Sequence, residues 1–309
     1  MVLEYSLTPI SQTRPNVPLE YSPAFSMYLI ACQVEDKSPG TISTYTQRVG
    51  RFLKFIEKPE ADVTRDDVRR FLLQLKQDGI GQSTRNAYYR AVKTYFRWLG
   101  EGGEGIIQTD PFKNVNAPPL PKLKPQPFTH DDMRRLILET SRDRFLDYRN
   151  RAIVLVATDT GLRLKELAGI MLADVDFNCE SIRVIGKGNK ERYVRIGKAT
   201  QKAVLRYLIQ RTDQHQCLWV TEERRPMKRR GISIMLKRLF RRAGVKGHTH
   251  MFRNTAAMEC LRNGMGEFNL QNMLGHSTLA MTRRYVEALN ADDMFRAHRQ
   301  ASPVDNLKL

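Results

Sequence analysis

The sequence of 309 residues holds only four cysteines, Cys32, Cys179, Cys217 and Cys260, and none forms a C-x-x-C pair. A disulfide framework and a zinc knuckle are both unsupported, and a reduced, intracellular setting is the expectation. Apolar runs are short. None is longer than the stretch from Ala152 to Ala157, against the roughly 20 residues that a membrane span requires. The N-terminus lacks a basic start followed by an apolar core, so no secretory signal is expected. No cluster of acidic residues suggests a two-metal nuclease site, and neither a metal nor another cofactor is expected. The glycine-bearing GKGNK at 186–190 is not a P-loop, which needs G-x-x-x-x-G-K-[ST] ahead of a helix.

Acidic side chains are themselves scarce: 33 Asp and Glu face 51 Lys and Arg, a formal net charge of +18. The surplus is lopsided. Residues 1–120 carry 15 basic and 13 acidic side chains, whereas 121–309 carry 36 and 20. A positive surplus concentrated in one half points to a polyanion, most simply nucleic acid. An anionic membrane surface would instead call for one basic amphipathic helix with exposed apolar anchors. Here the charge is spread over many segments, so no membrane partner is expected. With 41% apolar and 27% charged residues, the chain reads as globular, and its length suggests two domains.

Residues 1–21 read as a leader with three prolines. Four helical patterns follow over 22–104. Ser22-Pro23 and Ser38-Pro39 combine a capping serine with a proline at the first helical position. Thr64 followed by Asp66 and Asp67 starts a third helix, and Ser83 a fourth that stops at Gly100. Residues 105–127 contain six of the chain's 14 prolines and read as a semi-rigid tether. Thr129 with Asp131 and Asp132 opens a second domain, 128–309. In it a buried helix centred on Ala152–Ala157 precedes two short strands, Ser181–Ile185 and Tyr193–Ile196. Helical patterns then occupy 199–211, 229–243, 251–263, 267–274, 278–289 and 291–301. The expected fold class is mainly α with a small β-sheet, in two domains.

Six residues could carry chemistry: Arg163 in TGLRLKEL, Lys187 in the strand–turn–strand, His250 and Arg253 in HTHMFRNT, His276 in MLGHSTL, and Tyr285 in TRRYVEAL. Singly, each has an ordinary reading as a surface charge, a cap or a core side chain. Together they describe a phosphoryl-transfer site. Two arginines can grip the nonbridging oxygens of a phosphodiester and stabilise its extra transition-state charge. A histidine can bond the phosphate or accept the nucleophile's proton, and a lysine on a turn can protonate the leaving oxygen. A tyrosine can attack phosphorus and hold it covalently.

These motifs, in this order and at separations of 24, 26 and 9 residues between 163 and 187, 250 and 276, and 276 and 285, resemble those of the tyrosine recombinases, the phage integrase family, and among them the XerC/XerD type. The resemblance runs from about residue 20 to 302. Phe252 replaces the family's usual leucine, and Asn254 stands where histidine is frequent. The resemblance implies an N-terminal SAM-like, helical core-binding domain and a C-terminal α+β catalytic domain. It implies an active site-specific recombinase, with Tyr285 as nucleophile forming a 3′-phosphotyrosyl link by chemistry like that of type IB topoisomerases. Arg163, Arg253 and His276 would bind the scissile phosphate, His250 would serve proton transfer, and Lys187 would protonate the 5′-oxygen. The implied partners are double-stranded DNA with inverted-repeat half-sites and either three further copies, in a tetramer on two sites passing through a Holliday junction, or a second recombinase. A cytoplasmic, nucleoid-associated location follows.

Candidate DNA contacts in the helical domain are Thr44, Thr46, Arg48, Arg85 and Lys93. In the second domain they are Arg224, Arg225, Lys228, Arg229 and Arg230. The last helix would in this family pack onto a neighbouring protomer. The alternative reading is a non-catalytic or partner-dependent DNA-binding protein on the same scaffold. A topoisomerase or telomere resolvase would be expected to carry further domains, and an RNA-binding protein an RNP-type or GXXG motif.

Overall fold

The computed structural model describes residues 22–100, 104–121 and 124–307. The expected leader, 1–21, lies outside them. The chain divides into two compact units on either side of residue 122.

The first unit is helical: α1 (Pro23–Val34), α2 (Pro39–Ile56), α3 (Arg65–Gln77) and α4 (Gln82–Leu99). Its caps are local chemistry. The Ser22 hydroxyl accepts the Phe25 amide at 3.2 Å, and Ser38 accepts that of Thr41 at 3.2 Å. Thr64 and Asp67 form a reciprocal capping box. Each such cap stabilises a helix start by about 1 kcal/mol. The fourth helix begins at Gln82 after Gly81, one residue before the expected serine, and has no side-chain cap. The helices enclose an aromatic core in which Phe52 meets Phe71 and Phe96 edge-on, with ring centroids 5.0 and 5.7 Å apart. The stretch expected to be a tether starts as packed chain. Ile107, Phe112 and Val115 join this core, and the Tyr89 hydroxyl donates to the Val115 carbonyl at 2.7 Å. Proline richness signals stiffness, but the apolar residues between the prolines still seek burial.

The second unit continues with α5 (His130–Leu138), α6 (Phe145–Thr160) and α7 (Leu164–Ala168). A three-stranded antiparallel sheet follows, in the order β1 (Val175–Asp176), β2 (Ser181–Ile185), β3 (Glu191–Arg195). Next come α8 (Lys198–Ile209), α9 (Arg229–Arg242), α10 (His250–Arg262), α11 (Glu267–Leu274), α12 (Ala280–Val286) and α13 (Ala291–Ala301). The middle of α6 is apolar on every side, with Ala152, Ile153, Val154 and Val156 fully buried, so it runs through the centre of the unit. It packs on α8 and α10. In β2 and β3 every second residue turns inward: Ile182, Val184 and Val194 are buried. A smaller core of Ala257, Met258, Leu270, Leu274 and Tyr285 sits among α10, α11 and α12. Helix α12 is shorter than the expected 278–289, and the five-residue α7 and two-residue β1 were beyond pattern reading. Helix α13 starts at an Asn290–Asp293 capping box and is held to α10 by the Arg262–Asp293 ion pair at 3.0 Å. Met294 and Phe295 project from it into solvent. Among the described residues no helix is long and apolar enough to cross a membrane.

Candidate active site

Three chain junctions in the second unit build the site. The first is the end of α6, where Gly161 takes the left-handed conformation with φ at 60°. A Cβ there would lie 2.8 Å from Leu274 Cδ2 and 3.1 Å from Ala256 Cβ. Only glycine lets α6 end against α10 and α11. Two residues on, Arg163 is the N-cap of α7, and its main-chain N–H donates to the Glu166 carboxylate at 2.9 Å. The second junction is the start of α10, which carries His250 and Arg253 one turn apart. The third is the turn from α11 to α12, which carries His276, with Tyr285 on α12.

These junctions converge on a cleft of about 330 Å³ lined by Arg163, His250, Arg253, His276, Ala280, Met281, Arg284 and Tyr285. Five of the six residues singled out from sequence therefore meet in one place. The sixth, Lys187, begins the turn between β2 and β3. Its side chain lies outside the described residues.

The electrostatics of the cleft are those of an anion site. Arg253 is 2% exposed, and its guanidinium donates to two carbonyls, Gly161 at 2.8 Å and Leu274 at 2.7 Å. Both carbonyls close helices, so the arginine sits at the negative ends of α6 and α11. Neither bond brings it a carboxylate, and a guanidinium has five N–H donors. Burial, and then the neighbouring Arg163 charge, push Arg253 down to about 10. A buried cation held by neutral groups attracts an anion.

Arg163 is 40% exposed at its side chain and donates to Glu166 Oε1 at 3.0 Å and to the Gly275 carbonyl at 3.3 Å. Glu166 is shared: Arg192, from β3, reaches both its oxygens at 3.3 and 3.0 Å. Burial raises the Glu166 carboxyl, but the Arg192 and Arg163 bonds outweigh it and hold the group below the ordinary glutamate range. Two guanidiniums on one carboxylate leave a net positive charge beside the cleft.

His276 Nδ1 lies 2.8 Å from the Thr282 hydroxyl, which is fully buried. Burial, then Arg253 and Arg163, push His276 down to about 4, and burial and Arg253 lower His250 as well. Both imidazoles are neutral at pH 7. When Nδ1 of His276 accepts the threonine hydroxyl, its Nε2–H is left to donate. The His276 and Tyr285 rings lie parallel, 3° apart in tilt and 6.2 Å between centroids. Tyr285 is 1% exposed and donates its hydroxyl proton to Asn254 Oδ1 at 3.2 Å. Asn254 in turn donates from Nδ2 to the Gln126 carbonyl at 3.1 Å. Among the described residues no group of three or more His, Cys, Asp or Glu could hold a metal ion.

The sequence reading missed Glu166, Arg192, Asn254 as a partner of the tyrosine, Thr282 and Arg284. Two of these left a signal. Glu166 stands three residues after Arg163, the spacing of a reciprocal N-cap bond, and Arg192 shares its strand parity with the buried Val194.

The candidate DNA contacts are dispersed. Thr44 and Thr46 bond back to the Gly40 and Ile42 carbonyls within α2, at 2.8 and 3.0 Å. Arg48 reaches the Ala87 carbonyl at 3.4 Å, and Lys93 lies 5.6 Å from the Tyr89 ring centre. Arg85 is half-buried, with its Nε unpaired. Arg225, Lys228, Arg229 and Arg230 are exposed. Arg224 is not: its guanidinium carbon lies over Phe145, 3.4 Å from the ring centre. A planar guanidinium, less strongly hydrated than an ammonium, stacks favourably on an aromatic face.

Residues 126–291 match the phage integrase family, and residues 27–102 match the phage integrase N-terminal SAM-like domain. The tyrosine recombinase XerA of Thermococcus kodakarensis is 31% identical over 299 residues, spanning 96% of this chain and 99% of the relative. The tyrosine recombinase XerC of Listeria welshimeri is 31% identical over 263 residues, spanning 81% and 87%. A lambda integrase tetramer bound to a Holliday junction shares the fold, with a TM-score of 0.69 at 15% identity over 85% of this chain and 76% of that one. The chain belongs to the phage integrase family of tyrosine recombinases.

Proposed function

We propose that this protein is a site-specific DNA recombinase that cuts and rejoins strands through a phosphotyrosine on Tyr285. The observation that carries the proposal is the cleft itself. It gathers a buried arginine bonded to neutral carbonyls, a second arginine, two neutral histidines and a tyrosine. Arg253 and Arg163 hold the scissile phosphate, and His276 donates to a nonbridging oxygen. The Tyr285 oxygen attacks phosphorus, the P–O5′ bond breaks, and the 3′-phosphate stays on the enzyme. The phenol proton passes to His250, neutral and therefore able to take it. Lys187 supplies a proton to the departing 5′-oxygen. Attack by the 5′-hydroxyl of a partner strand runs the same steps backwards and releases the tyrosine, with no external energy source. Two such exchanges on paired sites pass through a Holliday junction, and four copies supply the four tyrosines.

Tyr285, nearly buried and bonded to Asn254, is in a resting position. Its hydroxyl must leave that bond and turn toward the phosphate before it attacks. The exposed Met294 and Phe295 of α13 suit docking of this helix on a neighbouring copy. Lys228, Arg229 and Arg230 crowd the N-terminus of α9, where no acidic residue accompanies them. Cations there oppose the helix dipole, so this cluster suits DNA phosphates rather than stability. The expected boundaries, 22–104 for core binding and 128–309 for catalysis, remain part of this reading.

The deciding experiment is covalent trapping. Randomised nicked duplexes are incubated in EDTA with wild type and with Tyr285→Phe. Adducts that survive denaturation, from wild type alone, are expected, and their sequences define the target. Adducts from Tyr285→Phe would remove Tyr285 as nucleophile. Good DNA binding without adducts from either protein would favour a non-catalytic or partner-dependent binder.

A further inference from the structure

We infer that Arg192 is a positioning residue: it ties the tip of the β2–β3 hairpin, and with it Lys187, to the phosphate-binding groups of the cleft. The inference rests on the proposed role of Lys187 as proton donor and names what holds that lysine's backbone in register.

The two ends of the hairpin are held differently. Its base is anchored by buried Ile182, Val184 and Val194. Its tip is an exposed turn of Gly188, Asn189 and Lys190, with Gly188 and Asn189 at φ of 72° and 57°. The tip's own closure is the Gly186 amide bond to the Lys190 carbonyl at 2.8 Å. A solvent-exposed turn of this kind opens easily unless something outside the hairpin grips it.

Arg192 is placed to do so. It pairs with Val184 across the strands, two residues beyond the tip, and its side chain is only 14% exposed. Its Nε donates to the Met273 carbonyl in the last turn of α11 at 3.0 Å. Its two terminal nitrogens take the two oxygens of Glu166. Three acceptors around one plane suit a guanidinium fork and cannot all be reached by an ammonium. Gly275 lies flat against the group, since a Cβ there would stand 3.0–3.2 Å from Nη1, Cζ and Nε.

Each partner of Arg192 is also a partner or chain neighbour of the phosphate-binding groups. Glu166 receives the main chain and guanidinium of Arg163. The residue after Met273, Leu274, gives its carbonyl to Arg253, and Gly275 gives its carbonyl to Arg163. His276 follows directly. One side chain therefore registers the hairpin tip against both arginines and the histidine.

The test uses the full chain with Arg192→Lys, which keeps a charge opposite Glu166 but loses the fork, and Arg192→Gln, which keeps a donor without charge. Without DNA, amide hydrogen exchange is measured for both. Residues 186–191 are expected to exchange at least about ten times faster than in wild type, with α6 unchanged. With DNA, single-turnover cleavage is measured on a nicked duplex recovered by trapping, with oxygen or sulfur at the 5′ leaving position. Sulfur leaves without a proton. A misplaced proton donor is expected to lower the oxygen rate by roughly 100-fold and the sulfur rate by less than about tenfold, with DNA affinity within about threefold. Equal losses on both substrates, or an unchanged tip, would overturn the inference. If wild type itself forms no adduct, the phosphotyrosine reading fails on its own, and exchange at 186–191 still decides whether Arg192 holds the tip.

Discussion

Acidification is expected to destabilise the DNA-free protein through His276. The imidazole is pushed down to about 4 by burial and by Arg253 and Arg163, against about 6.5 in an unfolded chain. Below pH 6.5 the unfolded chain binds a proton that the folded one refuses. Stability is therefore complete above pH 6.5 and falls as the pH drops toward 4. If the whole shift is realised, linkage gives a loss of about 2 kcal/mol between pH 7 and pH 5. Screening by water around a half-buried ring reduces this to about 1 kcal/mol. His250 is lowered by burial and the same arginine and adds to the loss in the same direction, so the comparison must isolate His276. Urea unfolding of wild type and His276→Gln at pH 7 and pH 5 does that. Wild type should lose about 1 kcal/mol more than the variant over this interval. A bound phosphate should reverse the effect, because its charge favours the imidazolium, and DNA binding near pH 6 should take up protons. Equal losses for the two proteins, or an NMR titration of His276 near 6.5, would refute the picture of a buried imidazole held neutral beside two arginines.

Three further outcomes are expected. Gly161→Ala should cost about 2–3 kcal/mol, because a methyl must enter at 2.8 Å from Leu274 with φ held at 60°. Thermal unfolding checks this, and a change under 0.5 kcal/mol would contradict the close approach. Neutralising Lys228, Arg229 and Arg230 together should lower the slope of log affinity against log salt by about 2–3, one counterion for each lost phosphate contact. Filter binding across a salt series reads it, and an unchanged slope would remove this cluster from the DNA surface. Lys187→Ala should slow cleavage by roughly 100-fold or more on an oxygen leaving group and much less on sulfur. Equal defects in single-turnover assays would exclude the general-acid role.

Much of the architecture is legible because it is local. A serine before a proline, a threonine three residues ahead of an aspartate, and a two-residue alternation each act within one turn of chain. The starts of α1, α2, α3, α5 and α13 and the span of β2 follow from them. Boundaries shift where no side-chain cap exists, as at Gln82. Residues 107–115 read as tether because their prolines are visible locally, whereas the aromatic and apolar surface of α4 that buries Phe112 and Val115 is not.

The site divides in the same way. Residue types and spacings alone supplied two arginines, two histidines, a lysine and a tyrosine suited to phosphoryl transfer, and a charge of +18 suited to nucleic acid. Tertiary structure decided how they are held. Arg163 meets the Gly275 carbonyl across 112 residues, and Arg253 meets the Gly161 carbonyl across 92. Such bonds depend on where α6 and α11 end after the core has packed, which no local pattern records. The same holds for Arg224, a phosphate-binding candidate by charge that Phe145 draws onto its ring. It holds too for Asn254, whose bond to Tyr285 spans 31 residues. Composition sets which forces are available to this chain, and packing decides which of them each side chain meets.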